Sequence, residues 1–249
     1  MDAESNGMTR RILISFLAAA LLGALFITPA QSKKAHSTIP AWGGTDSPLR
    51  PGTGMGFCTY NFVFYKQGTE NTEPTAYIGT AGHCTDTLGQ RMSHPALGEI
   101  GTVVYDSDLV SSTVDFSLIE IDAKMVGQTN PEVLHWGGPT GIVSQEELQV
   151  GDEVDIYGYG LLVGMNEATR PRQGYLVAKN EDEYQADMPA VNGDSGAPLL
   201  HHETGKALGI ISRYGFTVPP STDQGPLMSW ILEELAEAGF DVRLAIVKA

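Results

Sequence analysis

Val191-Asn192-Gly193-Asp194-Ser195-Gly196-Ala197-Pro198 sets a serine between two glycines. Gly193 and Gly196 let the backbone turn tightly and aim N–H groups at a common point, the arrangement that stabilises a developing oxyanion. A serine hydroxyl is a weak nucleophile at neutral pH, so the segment needs a base and an acid to orient that base. Thr80-Ala81-Gly82-His83-Cys84 supplies an imidazole at a strand end, beside one of only two cysteines. Thr113-Val114-Asp115-Phe116-Ser117-Leu118-Ile119 supplies a carboxylate at the entrance to an apolar strand, where burial demands a partner. Ser195, His83 and Asp115 thus have the residue types that nucleophilic acyl transfer requires. Asp106, Asp108 and Asp122 are the competing acids, and the strand entrance favours Asp115.

Three segments, Thr80 to Cys84, Val114 to Leu118 and Gly193 to Gly196, closely resemble the signatures of chymotrypsin-like (trypsin-like) serine proteases, in the family's order of His, Asp, Ser. The resemblance spans about residues 54–240 and is nearest to prokaryotic secreted members. It implies an all-β fold of two antiparallel six-stranded β-barrels (chymotrypsin-like) with a C-terminal α-helix. It also implies a serine endopeptidase that hydrolyses peptide bonds through an acyl-enzyme on Ser195, with His83 as general base and Asp115 orienting it. The backbone N–H groups of Gly193 and Ser195 would form the oxyanion hole. Ser212 would lie under Asp115, and the segment Ser212, Arg213, Tyr214 would line the substrate. Asp187, eight residues before Ser195, is a candidate for a pocket acid favouring lysine or arginine, while Tyr214 is a candidate for narrowing the pocket toward small side chains. The chain lacks the Ile/Val-Val/Ile-Gly-Gly start that pairs with Asp194 in activated relatives, so an internal arginine is expected instead: Arg170, Arg172 or Arg213. The alternative is a catalytically inactive homologue acting as a binding module.

The surrounding pattern agrees with a β architecture. Short β-branched or aromatic runs at Phe57 to Tyr65, Thr75 to Thr80, Gly98 to Tyr105 and Phe116 to Ile121 make one unit, barrel one, over about 54–128. After a linker at Asn130 to Ser144, further runs at Glu153 to Tyr159, Arg172 to Ala178, Ala197 to Leu200 and Ala207 to Ser212 make barrel two, over about 145–226. The amphipathic stretch Trp230 to Ala238 predicts a helix within about 229–239, capped by Ser229 and stopped by Gly239. The glycine-rich stretch Gly158 to Gly164 lacks phosphate-loop spacing and is expected to border the cleft. The whole domain is expected over 54–249.

Composition narrows the partners. The 249 residues carry 30 acidic against 15 basic side chains, a net charge of −15 that opposes binding to nucleic acid or to anionic lipid surfaces. Arg10-Arg11 followed by the apolar run Ile12 to Ile27 predicts a leader within 1–30, either a cleaved secretory signal or a membrane anchor formed by residues 12–27. Removing it takes two charges of each sign, so the acidity belongs to the folded part. Residues 31–53, rich in Pro and Gly, are expected to be a propeptide or a surface strap. Export permits a disulfide, with Cys58 and Cys84 as the only candidates. Such a bridge would stabilise by roughly 3 kcal/mol through loop closure. No metal is expected at His94, His135, His201 and His202, which are read as surface histidines, because no HExxH or CxxC spacing is present. No cofactor is implied. The expected partners are protein or peptide substrates, met as a monomer outside the cell.

Overall fold

A computed structural model describes residues 37–110, 112–161, 166–215 and 222–248. The expected leader at 1–30 lies outside the described residues. Among the described residues no helix is long and apolar enough to cross a membrane.

Alternation of side chains decides where each strand sits. In β2 (Thr75–Thr80), Ala76 and Ile78 face one side and Tyr77 the other. β5 (Ser117–Ile121) does the same, with Ile119 and Ile121 opposite Leu118. These strands join β1 (Val63–Lys66), β3 (Arg91–His94), β4 (Gly98–Asp106) and the C-terminal β13 (Arg243–Leu244) in one antiparallel sheet. Its order is β13-β1-β2-β5-β4-β3. Leu49, Tyr60, Val63, Ile78, Ile100 and Ile119 fill its interior.

The second sheet contains β6 (Glu153–Tyr157), β7 (Pro171–Lys179), β8 (Glu183–Asp187), β9 (Pro198–His201), β10 (Lys206–Ile210), β11 (Arg213–Gly215) and β12 (Thr222–Pro226). Its order is β10-β9-β6-β7-β8-β12-β11, again antiparallel between hydrogen-bonded neighbours. The count is seven rather than six because the chain after Ser212 pairs with β12 as a further edge. The sheet curls back on itself: Gly209 bridges Leu227, and the Ser212 N–H donates to the Gln224 carbonyl at 3.0 Å. Val154, Ile156, Leu176, Tyr184 and Leu199 are buried inside it.

A third apolar cluster joins the two sheets, with Phe62, Phe64 and Phe116 from the first meeting Tyr157, Leu200 and Ile210 from the second. The helix α1 (Met228–Glu237) lays Met228, Ile231 and Leu235 on this cluster, the spacing of one helical face. Its N-cap is Leu227 and no side chain caps it, so Ser229 does not cap the helix as expected. Ser229 is already inside the first turn. Gly239 follows with φ +90 and ends the helix as expected.

Residues 37–53 pack on the first sheet with little regular structure. Leu49 is fully buried, its N–H donates to Gln128 and its carbonyl accepts from Asn130.

Candidate active site

His83 sits on a 3-10 turn, Gly82–Cys84, that directly follows β2. Thr85 closes the turn: its N–H donates to the Gly82 carbonyl, and its hydroxyl donates to the buried Asp106 carboxylate at 2.7 Å. The Ser117 hydroxyl lies 2.7 Å from Thr85 Oγ1. A disulfide between Cys58 and Cys84, with Cα atoms 6.2 Å apart, ties the turn to the segment before β1. The turn is therefore fixed on both sides of the imidazole.

Asp115 reaches that imidazole from the loop before β5. Its carboxylate oxygens lie 3.0 and 3.1 Å from His83 Nδ1, and one accepts the His83 backbone N–H at 3.0 Å. The Ser212 hydroxyl donates to the other. Asp115 holds this position with φ +49, a left-handed backbone uncommon for a residue other than glycine. Burial alone would raise its carboxyl, but the bonds from His83 and Ser212 outweigh burial and hold it below the usual range. The hydrogen bond to Asp115 raises the His83 pKa against partial desolvation, and the charges of Asp115 and Asp108 add to the rise. With Nδ1 donating to Asp115, Nε2 is left as the acceptor. The rival acids are otherwise engaged or set back: Asp106 holds Thr85, Asp122 makes a paired contact with Arg91, and Asp108 acts on His83 through charge.

Thr59 and Leu161 hold the Ser195 turn through three hydrogen bonds. Thr59 donates its N–H to the Ser195 carbonyl at 2.8 Å and its hydroxyl to the Gly193 carbonyl at 2.8 Å. The Leu161 N–H donates to the Asn192 carbonyl at 2.6 Å, which leaves the Gly193 N–H, on the opposite edge of that peptide, pointing away from Leu161. Gly193 adopts φ +104, and a Cβ on Gly196 would lie 2.3 Å from the Thr59 carbonyl and 2.5 Å from Thr80 Oγ1. The close approach at Gly196 presses the serine turn against the strand that leads to His83. Among the described residues the N–H groups of Gly193 and Ser195 have no acceptor. Also among the described residues, no hydrogen bond joins the Ser195 hydroxyl to His83.

Asp194, fully buried, anchors the turn from below. Arg172 grips both its oxygens at 2.6 Å, and the N–H groups of Gly160 and Val191 add bonds of 2.7 and 2.8 Å. Of the three candidate arginines it is Arg172, because inward and outward residues alternate along β7 and Arg172 falls on the inward set. Arg170 lies over the Tyr159 ring, and Arg213 pairs with Glu183.

Solved structures share this arrangement of strands. The chain superimposes on Cellulomonas bogoriensis chymotrypsin with a TM-score of 0.55 and 19% identity, covering 80% of this chain and 99% of that one. For Thermobifida fusca protease A the figures are 0.55, 20%, 80% and 99%, and for Nocardiopsis protease 0.53, 18%, 79% and 98%. The fold is that of the chymotrypsin-like serine proteases. No protein-family model matches the sequence, and no curated protein matches it.

Within the chymotrypsin-like fold, the remaining residues expected at the site separate. Ser212 donates its hydroxyl to Asp115, and Arg213 is exposed at its bond to Glu183. The side chain of Tyr214 lies outside the described residues. Asp187 is exposed and lines a surface cavity of about 330 Å³ with Gln173 and Tyr175, so it belongs to the outer face of β7 and β8. The described part of the glycine-rich segment touches the serine turn through Gly160 and Leu161, while residues 162–165 lie outside the described residues. Two histidines are not on the surface as expected. His94 and His201 are 7% and 6% exposed; burial lowers the His94 pKa, and His201 contacts Thr204 and Asp152. His83, Cys58 and Cys84 form a cluster of metal-ligand types, but the sulfurs are joined to each other and offer no thiolate. Sequence reasoning missed Thr59, and weighed Asp106 only as a rival acid rather than as the partner of Thr85; both roles are long-range bonds with no local signature.

Proposed function

We propose that the protein is a serine endopeptidase acting on protein or peptide substrates. The observation that carries this reading is an Asp115-oriented His83 together with a serine turn, packed on the strand that precedes His83, whose two N–H donors are unengaged among the described residues. Ser195 Oγ attacks the scissile carbonyl while His83 Nε2 takes its proton. Asp115 keeps Nδ1 protonated and stabilises the imidazolium. The Gly193 and Ser195 N–H groups receive the oxyanion, and His83 returns the proton to the leaving amine. Water then repeats the sequence on the acyl-enzyme, which frees Ser195.

The Arg172 to Asp194 pair supports a site that forms without a new N-terminus. The buried Leu49 supports reading residues 37–53 as a strap of the mature domain. The disulfide and the charged-then-apolar start of the chain support secretion, with anchorage by residues 12–27 as the alternative. N-terminal sequencing of exported protein decides between them: a start near Met1 contradicts cleavage.

A second reading, an inactive homologue that binds without cutting, draws on the missing hydrogen bond between Ser195 and His83. Such bonds are often long in free enzymes and tighten on substrate. Hydrolysis of unfolded casein by the wild type beside Ser195→Ala tests the choice. Serine-dependent cleavage supports the peptidase, and no cleavage by either chain supports the binding module.

A further inference from the structure

The backbone at position 193 requires glycine. Gly193 holds φ +104, and a Cβ there would lie 2.8 Å from the Tyr159 carbonyl and 3.1 Å from Gly160 Cα. Asn192 before it is under no such constraint. Its side chain is exposed and makes no hydrogen bond among the described residues. Among those residues it is also the one asparagine followed by glycine.

An asparagine side chain cyclises when the next backbone nitrogen loses its proton and attacks the amide carbon. Glycine leaves that nitrogen unshielded, since it carries no Cβ. The Gly193 N–H has no acceptor among the described residues, so no hydrogen bond has to break to free it. The Leu161 N–H donates to the Asn192 carbonyl at 2.6 Å, and this oxygen takes up much of the charge when the peptide nitrogen is deprotonated. That bond therefore stabilises the attacking form. Asp194 would oppose a second negative charge, but Arg172 neutralises it through two bonds of 2.6 Å. Other asparagines are differently placed: Asn130, Asn166 and Asn180 each accept backbone N–H groups through Oδ1, and Asn61 is fully buried.

We infer that Asn192-Gly193 is a self-modification site that disables the oxyanion hole. Hydroxide takes the Gly193 proton, the nitrogen lone pair forms a bond to Asn192 Cγ, and the Cγ–Nδ2 bond breaks with loss of ammonia. The product is a five-membered imide whose nitrogen bears no hydrogen, so one of the two oxyanion donors is gone. Water then opens the ring at either carbonyl. Opening at Cγ restores the Gly193 N–H but sets an aspartate beside it. Opening at the backbone carbonyl leaves Gly193 joined through the side chain, which adds a methylene to the main chain and moves that N–H relative to the Ser195 N–H. Only water and base are consumed, so each molecule carries its own limit on active life.

The inference rests on the peptidase reading, and the test separates the two. Wild type is held at pH 8 and at pH 6, Asn192 is followed by mass mapping with fragmentation that distinguishes the lengthened chain, and kcat is measured per intact chain. Conversion at Asn192 is expected at pH 8, ahead of Asn71, which is exposed but followed by Thr72, and slower at pH 6. The imide and the lengthened chain are expected to be about 10²–10³-fold less active, the loss for one oxyanion donor, so kcat falls as they accumulate. Asn192→Gln, whose longer side chain closes a ring poorly, is expected to keep its own initial rate over the same period. Ser195→Ala, which cannot digest itself, is expected to convert at Asn192 as the wild type does, and this separates cyclisation from self-cleavage. An Asn192 that stays an amide at pH 8, or converts no faster than Asn71, overturns the inference alone. Conversion with kcat unchanged, or an Asn192→Gln chain that decays as fast as the wild type, overturns it too. A fresh wild type that neither labels with a fluorophosphonate nor cleaves overturns the peptidase reading and this one with it.

Discussion

Arg172→Met removes a guanidinium of similar length to its replacement and leaves Asp194 in place. Four bonds disappear: two of 2.6 Å to Asp194, one of 2.8 Å to Pro189 and one of 3.2 Å to Arg170. Asp194 keeps the N–H groups of Gly160 and Val191 but becomes a buried charge without a counter-ion, because it is 0% exposed. Breaking one side of such a pair costs about 3–5 kcal/mol. For a domain of about 200 residues that corresponds to a fall in Tm of roughly 6–20 °C. Urea unfolding followed by tryptophan fluorescence at pH 7 measures the loss directly. Combining Arg172→Met with Asp194→Asn is expected to recover part of it, since the amide removes the stranded charge and its one oxygen can still accept from one of the two N–H groups, which now meet different carboxylate oxygens. The coupling from the full cycle is then at least about 2 kcal/mol in magnitude. Additive variants, or a single-variant loss below about 1 kcal/mol, would refute the view that this ion pair holds up the serine turn.

Replacing Cys58 and Cys84 together by alanine is expected to lower unfolding free energy by about 3 kcal/mol, read in urea, and unchanged stability contradicts the role given to the bridge. The acid limb of kcat/KM is expected above the ordinary histidine value of about 6.5, because the Asp115 hydrogen bond raises His83. Asp115→Asn is expected to cut kcat by about 10⁴-fold, since the amide favours the wrong tautomer; a loss under tenfold contradicts the assignment. Asp223 has a folded pKa raised to about 7, so the folded state holds its proton more tightly than the unfolded chain. Its contribution to stability is complete below the ordinary carboxyl pKa and is lost as pH rises through about 7. Asp223→Asn should therefore gain stability over the wild type above pH 7, by at most about 4 kcal/mol, with the gain vanishing near pH 4. Melting curves across that range that run parallel would contradict the burial of the charge.

The short stretches around His83, Asp115 and Ser195 were legible because each combines a chemical group with the glycines or apolar neighbours that place it. β2 (Thr75–Thr80) and β5 (Ser117–Ile121) were legible because both are short runs rich in β-branched or aromatic residues. β3, with the sequence RMSH, and β12, with TDQGP, carry no such pattern. They are strands because their neighbours offer a paired edge, a tertiary cause that a local reading misses. The partner of Asp194 could be narrowed to three arginines and no further, since the choice depends on which face of β7 turns inward. Asp223 gave no local signal at all: one carboxyl in a polar segment reads as solvated until β8 and β11 close on either side. The buried His94 and His201 were misread for the same reason.

Labelling with a fluorophosphonate, located by mass spectrometry of the digested adduct, tests the central claim most directly. The account predicts one adduct, on Ser195, lost in Ser195→Ala and strongly slowed in His83→Ala. A wild type that takes no label on Ser195 while folded, with the disulfide intact, would contradict it.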